Sequence, residues 1–401
     1  MAMSRDHTRV LIYSHDTFGL GHLRRCRAIA HHLVESRPNA SVLILSGSPI
    51  IGSFDFRSRV DFVRIPGIIK LRNGDYVPLN LHINTDDTLA MRASIIEHTA
   101  DIFDPDLFLV DKEPLGLRGE VRSTLEMLHA RGTPTVLGLR DVMDEPASLA
   151  PEWERKNVMP ALEQIYDQIW VYGTRDICDP LHGLAIPRSV RQKITYTGYL
   201  RRSITTAWNP LDPFDRPFIL VTTGGGGDGD VLVDWVLRVY EELGSPGHPA
   251  LIVTGPFMQS ELQAEFSQRA AELPDVELIT FDAHLENLMD RAIGVVAMGG
   301  YNTFCEILSF DKPALLVPRV EPRLEQMIRA SRAEEMGLVR MLPMPSGDPD
   351  VARMAEALAA LPAAARPSDA MPPQFLDGLQ AIDRLAGGLI GQAEPVRAVG
   401  T

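Results

Sequence analysis

FILVTTGGGGDGDVLVDWVLRVY, Phe218–Tyr240, passes from an apolar run through a glycine-rich turn into an amphipathic repeat. FILVT, at Phe218–Thr222, is a short, β-branched, continuously apolar run, the pattern of a strand buried on both faces. The apolar spacing from Asp230 to Leu243 predicts a helix. Between them lies Thr222–Gly229, TTGGGGDG. Glycines have no Cβ to obstruct an anion, and their N–H groups would lie at the positive end of the helix. A diphosphate is the natural occupant of Gly224, Gly225, Gly226 and Gly227. A tight strand-to-helix turn needing left-handed backbone is the other reading of the same residues. The run lacks the Lys-Ser/Thr of a P-loop, so ATP hydrolysis is not indicated.

The same strand–turn–helix unit recurs on both sides. Downstream, strands are predicted at Ala250–Thr254, Val276–Thr280, Ile293–Ala297 and Ala314–Val317. The helices between and after them are Met258–Leu273, His284–Asp290, Asn302–Ser309, Pro322–Met336 and Asp348–Leu361. Upstream, the predicted strands are Val10–Ser14, Val42–Ser46, Phe62–Ile65, Leu107–Val110, Thr135–Leu139, Gln168–Tyr172 and Ile194–Thr197. The helices there are His22–Glu35, Thr88–Phe103, Arg118–Arg131 and Trp153–Tyr166, with Gly67–Asp87 as a long loop. Alternating strands and helices imply parallel sheets with right-handed crossovers. The expected organisation is a Rossmann-like domain over 1–200, a linker over 201–216 and a second such domain over 217–372. Residues 373–401 form a helix and tail that have no place in the second domain and are expected to pack back on the first.

A chain of 401 residues suits two domains of about 150–200 residues. Asp and Glu number 53 against 39 Lys and Arg, a formal charge of −14, which disfavours wholesale nucleic-acid binding. The 3 cysteines, Cys26, Cys178 and Cys305, are odd in number and far apart, so neither a disulfide framework nor a CxxC metal site is expected. A reducing, cytoplasmic setting fits. Met1–Arg9 lacks a signal-peptide core, and no apolar run approaches the roughly 20 residues of a membrane span. The stretch Ile65–Asp75, IPGIIKLRNGD, mixes apolar and basic residues. A peripheral membrane contact fits it, and a solvated loop fits it better.

Two further turns could carry chemistry. Met298–Glu306, MGGYNTFCE, again joins a strand to a helix. Thr303 and Glu306 have the spacing of a capping box, which needs no ligand. Alternatively, Glu306 accepts hydrogen bonds from a ribose diol. In Ser14–His22, SHDTFGLGH, Gly19 and Gly21 begin a dinucleotide fingerprint, but Arg24 stands at its third glycine position and no acidic residue ends the next strand. NAD binding is therefore a poor reading. His22 opens the following helix, and Asp111 ends LFLVD, where it could orient His22 or contact a substrate. Asp228 and Asp230 read as a helix N-cap before a metal-binding pair. His31 and His32 read as helix-surface residues. No metal and no cofactor is called for.

Taken in order, these turns resemble those of MurG-like GT-B glycosyltransferases (family 28-like). GLGHLRRCRAIAHHL also resembles the first turn of the nucleotide-sugar hydrolases of pseudaminic acid synthesis. TTGGGGDG resembles the family's phosphate turn, AMGGYNTFCEILSFDKPALLVPR its SRSGAxTxxE segment, and PRLEQMIRA the stretch that follows. The resemblance implies an α/β GT-B protein with two doubly wound domains facing across a cleft. It implies that a UDP-sugar donor is held by Gly224–Gly227, Phe281, Gly299, Gly300, Tyr301, Asn302, Thr303, Glu306, Glu325 and Gln326. His22 would stand at the reacting centre as general base, with Asp111 beside it and Gly19 and Gly21 on the acceptor or phosphate side. Transfer to an unidentified acceptor would be inverting and metal-independent. Two positions depart from the family pattern: Ala297-Met298 replaces the family's Ser-Arg, and Arg329 replaces its Asn. A nucleotide-sugar hydrolase with His22 activating water, a non-catalytic nucleotide-sugar-binding protein, and an epimerase using Asp111, Glu113 and Glu325 remain open readings.

Overall fold

A computed structural model describes residues 7–15, 21–70, 75–204, 214–345 and 347–392. Gly19, residues 71–74 of the mixed loop and 205–213 of the expected linker lie outside the described residues. Two compact units emerge. One comprises the described residues up to Arg175, Asp179–Leu200 and those from Asp377 onward; the other comprises Asp176–Cys178 and Arg201–Leu376.

The first unit is built on strands β1 (Thr8–Ser14), β2 (Ala40–Ser46) and β3 (Val60–Arg64). A hairpin follows, β4 (Ile68–Lys70) and β5 (Tyr76–Pro78). Strands β6 (Leu107–Asp111), β7 (Thr135–Arg140), β8 (Gln168–Tyr172) and β9 (Ile194–Tyr196) complete the set. Apart from the hairpin they form one parallel sheet in the order β3-β2-β1-β6-β7-β8-β9. Between β1 and β6 the winding reverses, and there an open parallel sheet leaves a crevice at its carboxyl edge. The helix Gly378–Gln392 belongs to this unit. Its Asp383 accepts from Arg37 Nε at 2.6 Å and Ser36 Oγ at 2.8 Å.

The second unit repeats the plan. Its strands are β10 (Ile219–Thr222), β11 (Ala250–Val253), β12 (Val276–Ile279), β13 (Gly294–Ala297), β14 (Ala314–Leu316) and β15 (Arg340–Met341). All are parallel, in the order β12-β11-β10-β13-β14-β15, so the winding reverses between β10 and β13. The short β15 was not expected: two residues carry too little pattern to register.

Local chemistry explains the other departures. Gly67–Asp87 is not a plain loop, because Ile68–Lys70 pairs with Tyr76–Pro78, and its last residues are helical: Asn84 caps Thr85–Phe103 by accepting from the Asp87 amide at 2.7 Å. Ile65 and Ile68 are buried, so those isoleucines are not offered to a membrane surface. The helix expected at Trp153–Tyr166 is two, Pro146–Arg155 and Met159–Gln164. Asn157, at φ 50°, separates them, and Pro160 opens the second. Arg118 and Gly119 have positive φ, which delays the next helix to Arg122–Ala130. Among the described residues no helix is long and apolar enough to cross a membrane.

Candidate functional site

In the first unit the register pairs Tyr13 with Val110, so β1 and β6 end level, Asp111 beside Ser14. His15 follows β1, and the helix Gly21–Ser36 carries His22 as its second residue. His22 Nδ1 lies 2.5 Å from Asp111 Oδ2. Arg25, one helical turn on, donates Nε to Asp111 Oδ1 at 2.8 Å and Nη2 to Oδ2 at 2.7 Å. Arg25 and Asp111 are each 1% exposed. A buried charge pair survives only with such complete bonding. At 2.5 Å from a carboxylate, Nδ1 must carry the proton, which leaves Nε2 as the accepting nitrogen.

Desolvation lowers the pKa of His22 against the pull of Asp111, and Arg25 and Lys112 lower it further. Burial alone would raise Asp111, but Arg25 and His22 outweigh it and hold the carboxyl well below the usual range. His15 stands with its ring centroid 5.6 Å from that of His22, and burial pushes its pKa down to about 3. Its Nδ1 is 3.3 Å from the Tyr13 hydroxyl, which donates to Glu120 at 2.5 Å. Glu113 accepts from Lys156 Nζ at 2.7 Å. Burial would raise Glu113, but His15, Lys112 and Lys156 hold it at about 2; His15 is itself neutral near pH 7, so the lysines carry the effect.

In the second unit Thr222 of β10 is in register with Ala297 of β13. The two glycine-rich turns therefore leave the sheet side by side at the reversal point. Gly224 and Gly226 adopt φ of 76° and 90°. A Cβ on Gly226 would stand 2.3 Å from the Thr254 carbonyl oxygen, so this glycine is required by packing alone. The Gly224 amide donates to Thr222 Oγ1 at 3.2 Å, so an anion would rest on the amides after it. Neither aspartate caps the next helix: Gly229 is the N-cap, and Asp228 instead pairs with Arg319. Burial raises the pKa of Asp228, with Arg319 opposing.

The capping box is also overturned. Gly300 is the N-cap of Tyr301–Ser309, which places Thr303 inside the helix and Glu306 too deep to reach back to the cap. Glu306 is 0% exposed and Thr303 6%, beneath the turn rather than on its rim. Tyr301 and Asn302 are buried as well, and Asn302 Oδ1 accepts from Arg202 Nη2 at 2.7 Å. Gly299, at φ 81°, gives its carbonyl to Arg329 Nη1 at 2.9 Å. Glu325 and Gln326 open the helix Glu325–Glu335, both buried. Arg319 ties them to the first turn, with Nη2 3.6 Å from Glu325 and its amide donating to Gln326 at 3.1 Å. Phe281 follows β12, on the same carboxyl edge but two strands from β10. The second unit thus gathers the two turns, Glu325 and Gln326, with Phe281 outlying. His22, Asp111 and Gly21 belong to the first. Among the described residues no group of three or more His, Cys, Asp or Glu could hold a metal.

Residues 218–347, spanning both turns and the Glu325–Gln326 segment, match the glycosyltransferase family 28 C-terminal domain. A UDP-N-acetylglucosamine–N-acetylmuramyl-(pentapeptide) pyrophosphoryl-undecaprenol N-acetylglucosamine transferase of Opitutus terrae is 31% identical over 100 residues, 25% of this chain and 26% of that protein. The matches take in 26% and 38% of the lengths of the curated relatives. Among solved structures, the calicheamicin glycosyltransferase CalG4 superposes with a TM-score of 0.59 at 15% identity, covering 98% of this chain and 100% of that one. Acinetobacter baumannii MurG gives 0.54 at 12%, covering 95% and 99%. The fold is GT-B, two parallel-sheet units of Rossmann type, as the sequence implied.

The sequence assigned no role to Arg25, Arg202 or Arg319. Arg25 lies three positions after His22, the spacing that puts two side chains on one helix face, and that signal was available. Arg202 and Arg319 act across long sequence separations, which no local pattern reveals.

Proposed function

We propose that this protein is a glycosyltransferase that moves a sugar from a nucleoside diphosphate, a UDP-sugar, to an acceptor hydroxyl. The observation that carries the reading is the register Thr222–Ala297, which sets two glycine-rich turns side by side at a winding reversal inside a family 28 domain. The diphosphate lies on the Gly225–Gly227 amides. Their dipoles and that of the helix Asp230–Glu242 take up the charge that develops on it. The ribose lies over the helix Tyr301–Ser309, toward Glu306. Glu325 and Gln326 face the sugar.

In the reaction His22 Nε2 takes the proton of the acceptor hydroxyl. The acceptor oxygen bonds to the anomeric carbon as the bond from that carbon to the diphosphate oxygen breaks, its electron pair leaving with UDP. One displacement at one carbon inverts its configuration. The first unit serves as the acceptor side.

UDP is expected to raise the melting temperature, by the equivalent of about 2.7 kcal/mol at a hundredfold excess over Kd, because only the folded chain binds it. Failure of every nucleoside diphosphate to shift the transition at millimolar concentration defeats the reading. Glu306→Gln, which keeps the buried volume, is expected to shrink that shift. If it lowers the melting temperature and leaves the UDP shift whole, Glu306 is a core residue only.

Turnover, followed as UDP release and product mass, is expected to survive EDTA, since fixed backbone dipoles carry the diphosphate charge. Strict dependence on Mg²⁺ or Mn²⁺ would restore Asp228 and Asp230 as ligands. Free sugar formed without any acceptor would mark a hydrolase.

A further inference from the structure

The Asp111 carboxylate is fully engaged. Arg25 takes both oxygens, and His22 shares Oδ2 through its Nδ1–H. Arg25 Nη2 also lies 3.1 Å from His22 Nδ1. Two donors cannot bond to each other, so that approach is a contact of like polarity, held by the carboxylate between them. The formal charges of Arg25 and Asp111 cancel, and the neutral, partly buried imidazole completes a trio with no net charge. We propose that Arg25 is a positioning residue that confines Asp111 to orienting His22 and denies it any part as proton acceptor. This deepens the reading of His22 as base and rests on it.

The physical argument is a comparison of two sites. A carboxylate paired with histidine alone lends its whole charge to the imidazolium and favours it. Here the guanidinium takes up that charge first. A proton on His22 would add a positive charge beside one already present and buried, that of Arg25. The other groups facing His22 do not offset it: Lys112 is a further cation, His15 is neutral near pH 7, and the charge of Glu113 is met by Lys156. Oriented by Asp111 and kept neutral by desolvation and by Arg25, His22 would stay a competent base in mildly acidic solution. The imidazolium formed in turnover then has a short life, returning its proton as soon as product leaves.

The test needs no substrate. In the full-length protein the His22 Cε1–H signal, assigned by its absence in His22→Gln, is titrated by NMR. The wild-type midpoint is expected clearly below the ordinary value of about 6.5. Arg25→Gln is expected to raise it by about one pH unit or more. The acid limb of kcat/KM should move up by the same amount. A wild-type midpoint at or above about 6.5 overturns the proposal, as does an Arg25→Gln midpoint equal to wild type. Should Arg25→Gln fail to fold, Arg25→Met, apolar and of similar length, is titrated in its place and held to the same outcomes. If instead His22→Ala keeps full turnover, the base reading fails, while the titration still reports whether Arg25 governs the protonation of His22.

Discussion

His22→Ala is expected to lower turnover about 10²-fold or more while leaving UDP binding nearly intact. The expectation follows from where the side chain stands. His22 opens the helix Gly21–Ser36 at the carboxyl edge of the first sheet, and its Nδ1 is committed to Asp111. That fixes the tautomer and leaves Nε2 to accept. Burial and the neighbouring Arg25 and Lys112 lower its pKa, so the neutral form prevails near pH 7. The sign matters for the pH profile: a lowered histidine pKa extends the active range toward acid, and activity falls only as pH drops through that value. The glycine turns proposed to hold UDP belong to the other unit, which is why donor affinity should survive the mutation. The measurement is kcat/KM beside a UDP thermal shift. Loss of UDP affinity and of stability together would make His22 structural. Full turnover would point to another base, with Asp111 the next to test, although the Arg25 clamp makes a carboxylate base the weaker candidate.

The fold was legible because its evidence is periodic. Apolar runs such as VLIYS, LFLVD and FILVT alternate with amphipathic stretches, and parallel strands buried on both faces leave that mark along their whole length. Elements that depend on one dihedral or two residues were not legible. The hairpin Ile68–Lys70 with Tyr76–Pro78, the break at Asn157 and the two-residue β15 carry almost no pattern. At the site, sequence supplied the turns and the structure supplied their neighbours. His22 and Asp111 were each readable as strand-end residues, but their 2.5 Å approach depends on the register of β1 with β6. The two capping assignments failed for one reason. In each, the chain enters its helix through a glycine, Gly229 or Gly300, so the polar residues that fit a cap pattern fall outside the cap position. Arg329, a departure from the family pattern, is the cation that holds the Gly299 carbonyl beneath the second turn.

Gly224→Ala and Gly226→Ala are expected to fail in different ways, and the contrast separates what the fold requires of this turn from what a ligand requires. Both residues have positive φ, 76° and 90°, so alanine costs roughly 1–2 kcal/mol at either through its backbone alone. At Gly226 a Cβ would also meet the Thr254 carbonyl oxygen at 2.3 Å and that of Gly255 at 3.0 Å. Neither can yield easily. Gly255 has φ 86°, and its own Cβ position is filled by the Gly225 carbonyl carbon at 2.5 Å, so the glycine-rich turn and the Thr254–Gly255 segment after β11 are pressed backbone to backbone. Gly226→Ala should therefore destabilise by about 3 kcal/mol or more, seen as a clear fall in melting temperature whether or not UDP is present. At Gly224 the added methyl meets nothing within 4 Å among the described residues. The fold should bear it, with only a small fall in melting temperature. The methyl would project into the space beside the amides that the proposed diphosphate occupies, so Gly224→Ala should lose most of the UDP thermal shift. If Gly224→Ala keeps the full UDP shift, the diphosphate does not lie against this turn, and the four glycines serve only the close approach of two backbones.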